Sequence, residues 1–128
     1  MEPLDLVVSR AKYSEGRRSE QLGRLYLACY DPEHDTFREV GRLSTGYTDE
    51  ELRTLTDSLE PLVTAREGRD VELEHQLVLE VEYEEIQAST EYGSGYALRF
   101  PRFLGFRDDL APADADTLDR VTALYDGQ

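Results

Sequence analysis

The 128 residues predict a mainly β fold: a five-stranded barrel with one helix between its third and fourth strands and a short helix at the C-terminus. Three observations carry that expectation. Three β-rich runs joined by turn residues open the chain. One amphipathic helical segment follows them. Two more strand-like runs and a second helical pattern close it.

The first strand is "LDLVVSRAKY" (4–13), an apolar run with β-branched residues. A polar connection framed by Gly16 and Gly23 leads to "RLYLACYD" (24–31), which Pro32 ends. "DPEHD" reads as a turn. "TFREVGRLS" (36–44) supplies a third strand, so the first part is a meander. Helical character begins at Thr48, which forms a capping box with Glu51. Asp49, Glu50 and Glu51 suit the positive end of the helix dipole. Leu52, Leu55, Leu59 and Leu62 mark one apolar stripe over 48–63, and Pro61 ends or kinks the helix. "REGRD" turns the chain back through Gly68. The fourth strand is "LVLEVEYEEI" (77–86). Its Leu77, Leu79, Val81 and Tyr83 alternate with a mostly acidic face. "GYALRF" (95–100) is the fifth, ending or bending at Pro101. The last helix covers 113–125, with Leu118, Val121, Leu124 and Tyr125 on one side and Asp114 or Asp116 as its cap. This order is the layout of the oligonucleotide/oligosaccharide-binding barrel, the OB-fold. The length fits one domain over residues 1–128.

The formal charge is −14, from 28 acidic and 14 basic residues, and Lys12 is the sole lysine. Such a surface repels itself and is relieved by salt, which suggests adaptation to a saline interior. The single Cys29 forms no internal disulfide and fits a reducing compartment. No apolar run has the length of a membrane span, and the N-terminus has no signal-peptide layout. A cytoplasmic chain without membrane contact is expected.

Catalytic and metal chemistry find little support. His34 and His75 lack partners at ligand spacing, Cys29 sits in a core-like strand, and no glycine-rich phosphate loop occurs. Two basic clusters stand out instead. The first is Arg10, Lys12, Arg17, Arg18 and Arg24, with Gly16 allowing close approach to a backbone. The second is Arg99, Arg102 and Arg107, interleaved with Tyr96, Phe100, Phe103 and Phe106 in "SGYALRFPRFLGFRDD" (94–109). Between them, residues 67–91 hold nine acids and one arginine. The arginines either pair with the abundant carboxylates or contact phosphate, for which the guanidinium fork is suited. Clustering favours phosphate. The phenylalanines read as core that braces the segment, with arginines facing outward.

The segment "YGSGYALRFPRFLGFRDD" resembles the last nucleotidyltransferase motif of ATP-dependent DNA ligases of the archaeal and eukaryotic type. "LDLVVSRAKYSEGRRSEQLGRLYLACYD", "GRLSTGYTDEEL", "VEYEEIQAS" and "DADTLDRV" resemble the rest of their C-terminal OB domain, in the same order. The resemblance spans nearly the whole chain, and the acidic surface suggests a haloarchaeal version. It implies a role in sealing 5′-phosphate/3′-hydroxyl nicks during DNA replication, repair and recombination. It also implies ATP and Mg²⁺ acting through the full ligase, with neither held tightly here. Partners would be nicked double-stranded DNA and an adenylation domain, with the protein a monomer.

By the same resemblance, Arg99, Arg102 and Arg107 bind nucleotide phosphate and orient the departing pyrophosphate, while Lys12, Gly16, Arg17, Arg18 and Arg24 contact DNA. Two positions depart from the family pattern. Gly105 stands where many relatives carry a basic residue, and Leu110 where many carry lysine. The nucleophilic Lys-x-Asp-Gly motif is missing, since Lys12 precedes "YSEG". Lysyl-AMP formation by this chain alone is therefore not expected. The competing expectation is a free-standing OB module for single-stranded nucleic acid or a protein partner.

Overall fold

The computed structural model describes residues 2–16 and 19–128. The meander is present as β1 (Leu4–Tyr13), β2 (Leu22–Asp31) and β3 (Thr36–Leu43), paired antiparallel in sequence order. The free edge of β1 is divided between two partners. Leu4–Val7 pair with Val81–Val78 of β6 (Val78–Glu82), and Arg10–Lys12 pair with Glu72–Asp70 of β5 (Asp70–Leu73). One long strand thus serves both halves of the molecule. Its first half is buried on both faces, with Leu6, Val7 and Val8 inaccessible. Residues on the outward side meet a second, smaller apolar cluster of Val7, Val78 and Ala115, flanked by Phe37 and Leu110. The segment before the last helix therefore acts as a cover.

Helix α1 runs Asp49–Leu59, shorter than the 48–63 expected. Thr48 is its cap: the Oγ1 accepts from Glu51 N–H at 3.1 Å, and Glu51 accepts from Thr48 N–H at 2.8 Å. Pro61 falls in a turn of 3₁₀-helix over Glu60–Leu62, because its ring and missing N–H cannot extend an α-helix. Leu52, Leu55 and Leu59 are buried as the stripe requires.

In place of a simple return, the chain forms a hairpin: β4 (Val63–Glu67) and β5, joined at Gly68 with φ +62°. It extends the main sheet to the order β3-β2-β1-β5-β4.

The expected fourth strand is bent in two, and past the expected fifth, beyond Pro101, the chain forms a further strand. Besides β6 this gives β7 (Glu85–Ala88), β8 (Tyr96–Arg99) and β9 (Arg102–Phe106). Glu82 opposes Arg102 and Glu85 opposes Arg99, so β6–β9 and β7–β8 are two arms of one hairpin kinked in register. The bend lies at Tyr83–Glu84 on one side. On the other it lies at Phe100 (φ +50°) and Pro101, beyond which the chain resumes as strand.

The C-terminal helix, α2 (Leu118–Asp126), starts later than expected. Its cap is Thr117, whose Oγ1 accepts from Arg120 N–H at 3.1 Å; neither Asp114 nor Asp116 caps it. Asp114 instead closes a 3₁₀ turn over Pro112–Asp114 by accepting from Ala111 N–H. Asp116 accepts from Asp5 N–H at 2.7 Å. Neither α-helix is long and apolar enough to cross a membrane.

Candidate nucleic-acid interface

Lys12 and Arg24 are directly opposed across β1 and β2. Opposed side chains leave the same face of a sheet, so the two cations project together. They line an open cleft of about 390 Å³ with Tyr13, Ser14, Ser44 and the ion pair of Arg69 with Glu15. Lys12 Nζ reaches Asp70 only loosely, at 3.9 Å. Gly16 has φ +69° and open space where a Cβ would stand, so it serves the backbone direction rather than close packing. Arg17 and Arg18 lie outside the described residues. Arg10, also in this cluster, is committed structurally. It forks onto Glu39 at 2.9 and 3.0 Å and stacks 3.8 Å over the Tyr26 ring.

The second cluster is fully paired. Arg99 donates to Glu85 at 2.9 Å, its cross-strand neighbour, and that bond holds its guanidinium above the ordinary arginine range. Arg102 meets its own cross-strand neighbour Glu82 at 3.3 Å. Arg107 is clamped between two acids: Nε and Nη2 each donate to Asp109 at 3.1 Å, while Nη1 donates to Asp5 at 2.9 and 3.0 Å. The bond from Arg107 holds the Asp109 carboxyl below its usual range. The three arginines therefore differ in availability. Arg102 has the longest ion pair of the three and a side chain 66 % exposed, against 30 % for Arg107.

A second open cleft, of about 450 Å³, lies beside Arg102 and is lined also by Arg42, Thr45, Tyr92 and Phe100. Ser44 lines both clefts, so the Lys12–Arg24 site and the Arg102 site adjoin across the end of β3. Arg99 and Arg107 line neither. The loop from β3 to α1 forms the divide. Tyr47 Oη donates to Gly23 C=O, tying the loop to β2. Gly46, at φ +93°, passes so close to β9 that a Cβ would sit 3.0 Å from Phe103 N and 3.1 Å from Arg102 Cα.

The bracing role expected of the phenylalanines holds for two of them. Phe103 is buried and meets Phe106 edge-on at 5.4 Å. Phe100 is not core: it is 61 % exposed at the bend, with Arg99 5.2 Å from its ring. The positive φ turns it outward, which strand alternation alone does not foretell. Arg42, Gly46 and the exposed Phe100 were not singled out as functional from the sequence. The glycine in "LSTGYT" was the one readable signal.

Cys29 is buried, and burial pushes its thiol up to about 12, so it is inert core. Asp31, Glu33 and His34 gather in the β2–β3 turn. The Asp31 carboxylate is already engaged by Arg38 Nε and His34 Nδ1, both at 2.8 Å. The Arg38 bond foremost, then that of His34, holds its pKa down to about 2. This turn is an ion-pair knot at the ends of β2 and β3 opposite to those carrying Arg24 and Ser44, and it lines neither cleft.

Comparison with known proteins gives this geometry its setting. A family model described as the C terminal region of ATP dependent DNA ligase matches residues 18–110. The chain is 52 % identical over 124 residues to a DNA ligase of Halobacterium salinarum, covering 97 % of this chain and 22 % of that protein. It is 47 % identical over 128 residues to one of Thermococcus onnurineus, covering 100 % and 23 %. A Methanococcoides burtonii DNA ligase is 46 % identical over 125 residues, covering 98 % and 22 %. The chain thus spans about a fifth of the length of these relatives. Among solved structures, the ligase domain of M. tuberculosis LigD superposes with a TM-score of 0.72 at 25 % identity, over 89 % of this chain and 38 % of that one. With sequence, residue span and mainly β fold in agreement, the chain belongs to the family of ATP-dependent DNA ligase C-terminal regions.

Proposed function

We propose that residues 1–128 form one OB domain of an ATP-dependent DNA ligase that grips nicked duplex DNA and presents Arg102 to the nucleotide. The observation that carries this reading is the junction at Ser44, which places Lys12, Arg24 and Arg102 on adjoining clefts of a chain with net charge −14. Carboxylates crowd the rest of the sequence, so a cationic track is where a phosphate backbone meets least repulsion. Phe100 projects beside this track, and an exposed apolar ring suits contact with base or sugar edges in a groove.

The side chains fit the phosphate tail of ATP better than they fit its metal. Arg102 is exposed and needs only to leave Glu82 to donate to a pyrophosphate. The described residues near the clefts supply no carboxylate group dedicated to a cation, and Mg²⁺ would arrive with ATP and the adenylation domain. Bound there, ATP would supply the adenylyl group, with pyrophosphate as the leaving group. This chain's part is to offset negative charge on the leaving oxygens and to orient them. In this reading Arg99 steadies the bend through Glu85, and Arg107 anchors the end of β9 to β1 through Asp5. The domain works as part of a cytoplasmic, monomeric ligase, and its acidic surface suits a saline interior.

The exposed Phe100 also fits the competing reading, a free-standing module that stacks single-stranded bases. Binding of this chain to a labelled nicked duplex and to a single strand of equal length separates the two. The duplex is expected to bind more tightly, with affinity falling as KCl rises. Tighter binding to the single strand overturns the ligase reading.

A further inference from the structure

The geometry points to Arg42 as a phosphate contact that joins the two clefts into one continuous track for a single nucleic-acid strand. This inference rests on the duplex-binding reading above and adds a residue that neither basic cluster contains. In a chain where acids outnumber bases two to one, a guanidinium normally finds a carboxylate. Arg10, Arg38, Arg69, Arg99, Arg102, Arg107 and Arg120 all do so. Among the described residues, Arg24, Arg42, Arg53 and Arg66 show no ion pair; Arg53 and Arg66 line a separate cleft beside α1, whereas Arg24 and Arg42 stand on the same patch.

The ladder explains their placement. Tyr26 of β2 opposes Arg42 of β3, and Leu25 opposes Leu43. The leucines point into the core, so Arg24, Tyr26 and Arg42 point out together. Arg24 is then the diagonal neighbour of Arg42, at about 7–8 Å between Cα atoms. Ser44 lies beside both and lines both clefts. Beyond Arg42 the same cleft reaches Arg102. Lys12, Arg24, Arg42 and Arg102 thus succeed one another across three strands and the bent hairpin. Glu91 is the one acid on the wall of the Arg42 cleft. It sets a local opposition that an incoming phosphate must overcome.

The test measures binding of this chain to a labelled nicked duplex over a range of KCl concentrations. Arg42→Ala is expected to weaken binding about 5–10-fold at fixed salt and to lower the log–log salt slope by about 0.9, the signature of one lost phosphate contact. Arg42→Lys is expected to keep the slope, since the charge remains, and Glu91→Gln to tighten binding about twofold. Arg53→Ala, on the exposed face of α1 and lining neither cleft, is expected to change neither quantity. Wild-type slope in Arg42→Ala, or an equal loss in Arg53→Ala, overturns the inference while leaving the duplex-binding reading in place. Absence of duplex binding by the unaltered chain overturns both.

Discussion

Arg102→Ala is expected to slow self-adenylation by on the order of 100-fold in an enzyme reassembled from this chain and a ligase adenylation domain, and to slow sealing of pre-adenylylated nicks much less. The asymmetry follows from what the side chain does. A guanidinium that offsets charge on departing pyrophosphate acts only while pyrophosphate is leaving, and that happens before DNA is joined. The magnitude is that of removing one preorganised donor from a developing anion. Arg102 is the arginine of its segment placed for this. Its partner Glu82 lies at 3.3 Å, its side chain is 66 % exposed, and it lines the cleft beside Ser44. Arg107 has both edges of its guanidinium occupied by Asp5 and Asp109. The two arginines should therefore separate experimentally: loss of Arg107 acts through anchoring of the strand end, and lowers thermal stability along with both steps. Step-resolved rates of adenylate formation and nick sealing check this. Equal loss in both steps on removing Arg102 contradicts its leaving-group role.

Gly46→Ala should cost about 2–4 kcal/mol of stability and carry an Arg102-like adenylation defect with it. Two penalties combine. At φ +93° an L side chain is strained whatever its surroundings, and the added Cβ would meet the backbone of Arg102 and Phe103 at 3.0–3.1 Å. The atoms it would meet are backbone atoms and the Cβ of Arg102, none of them the flexible end of a side chain. The loop is also tied to β2 by Tyr47 and held at its other end by the Thr48 cap, so the displacement falls on β9. Gly68 makes the control: its φ is also positive, at +62°, but a Cβ there meets nothing within 4 Å. Gly68→Ala should lose about 1 kcal/mol, from backbone strain alone. Denaturant melts give the stabilities. The adenylation defect of Gly46→Ala should not add to that of Arg102→Ala, because one acts through the other. Near-wild-type stability and adenylation in Gly46→Ala would show that the loop does not position Arg102.

The parts of this molecule that were legible in the sequence are those written in local chemistry. Thr48 with Glu51, the leucine stripe of α1, and the apolar runs of β1 to β3 each announce their structure within a few residues. The hairpin β4–β5 was less legible because Val63, Val71 and Leu73 are its main core-facing markers, diluted among charged residues. The kink shared by β6–β7 and β8–β9 follows from Phe100 adopting a positive φ, a conformation rare for phenylalanine and set by the coiling of the whole hairpin. The start of α2 is hard to place from sequence because two aspartates, Asp114 and Asp116, precede Thr117, and only the fold decides which oxygen meets the free N–H groups.

The same division runs through the candidate site. The arginines of "LRFPRFLGFR" announce themselves by clustering. Their inequality does not, because it depends on which acid each meets across the ladder or from the far N-terminus, as Asp5 meets Arg107. Arg42 sits alone between Gly41 and Leu43 in sequence. It joins Arg24 only through the pairing of β2 with β3. Composition likewise gives the charge of −14 but not the place where that charge is interrupted.

The most direct test of the account is nick sealing by two separate pieces. This chain is mixed with a ligase adenylation domain lacking its own OB domain, together with ATP, Mg²⁺ and a nicked duplex in high KCl, and ligated product is measured. The account predicts that sealing appears only when both pieces are present. No sealing under any salt condition, together with tight binding of single strands by this chain alone, would contradict it.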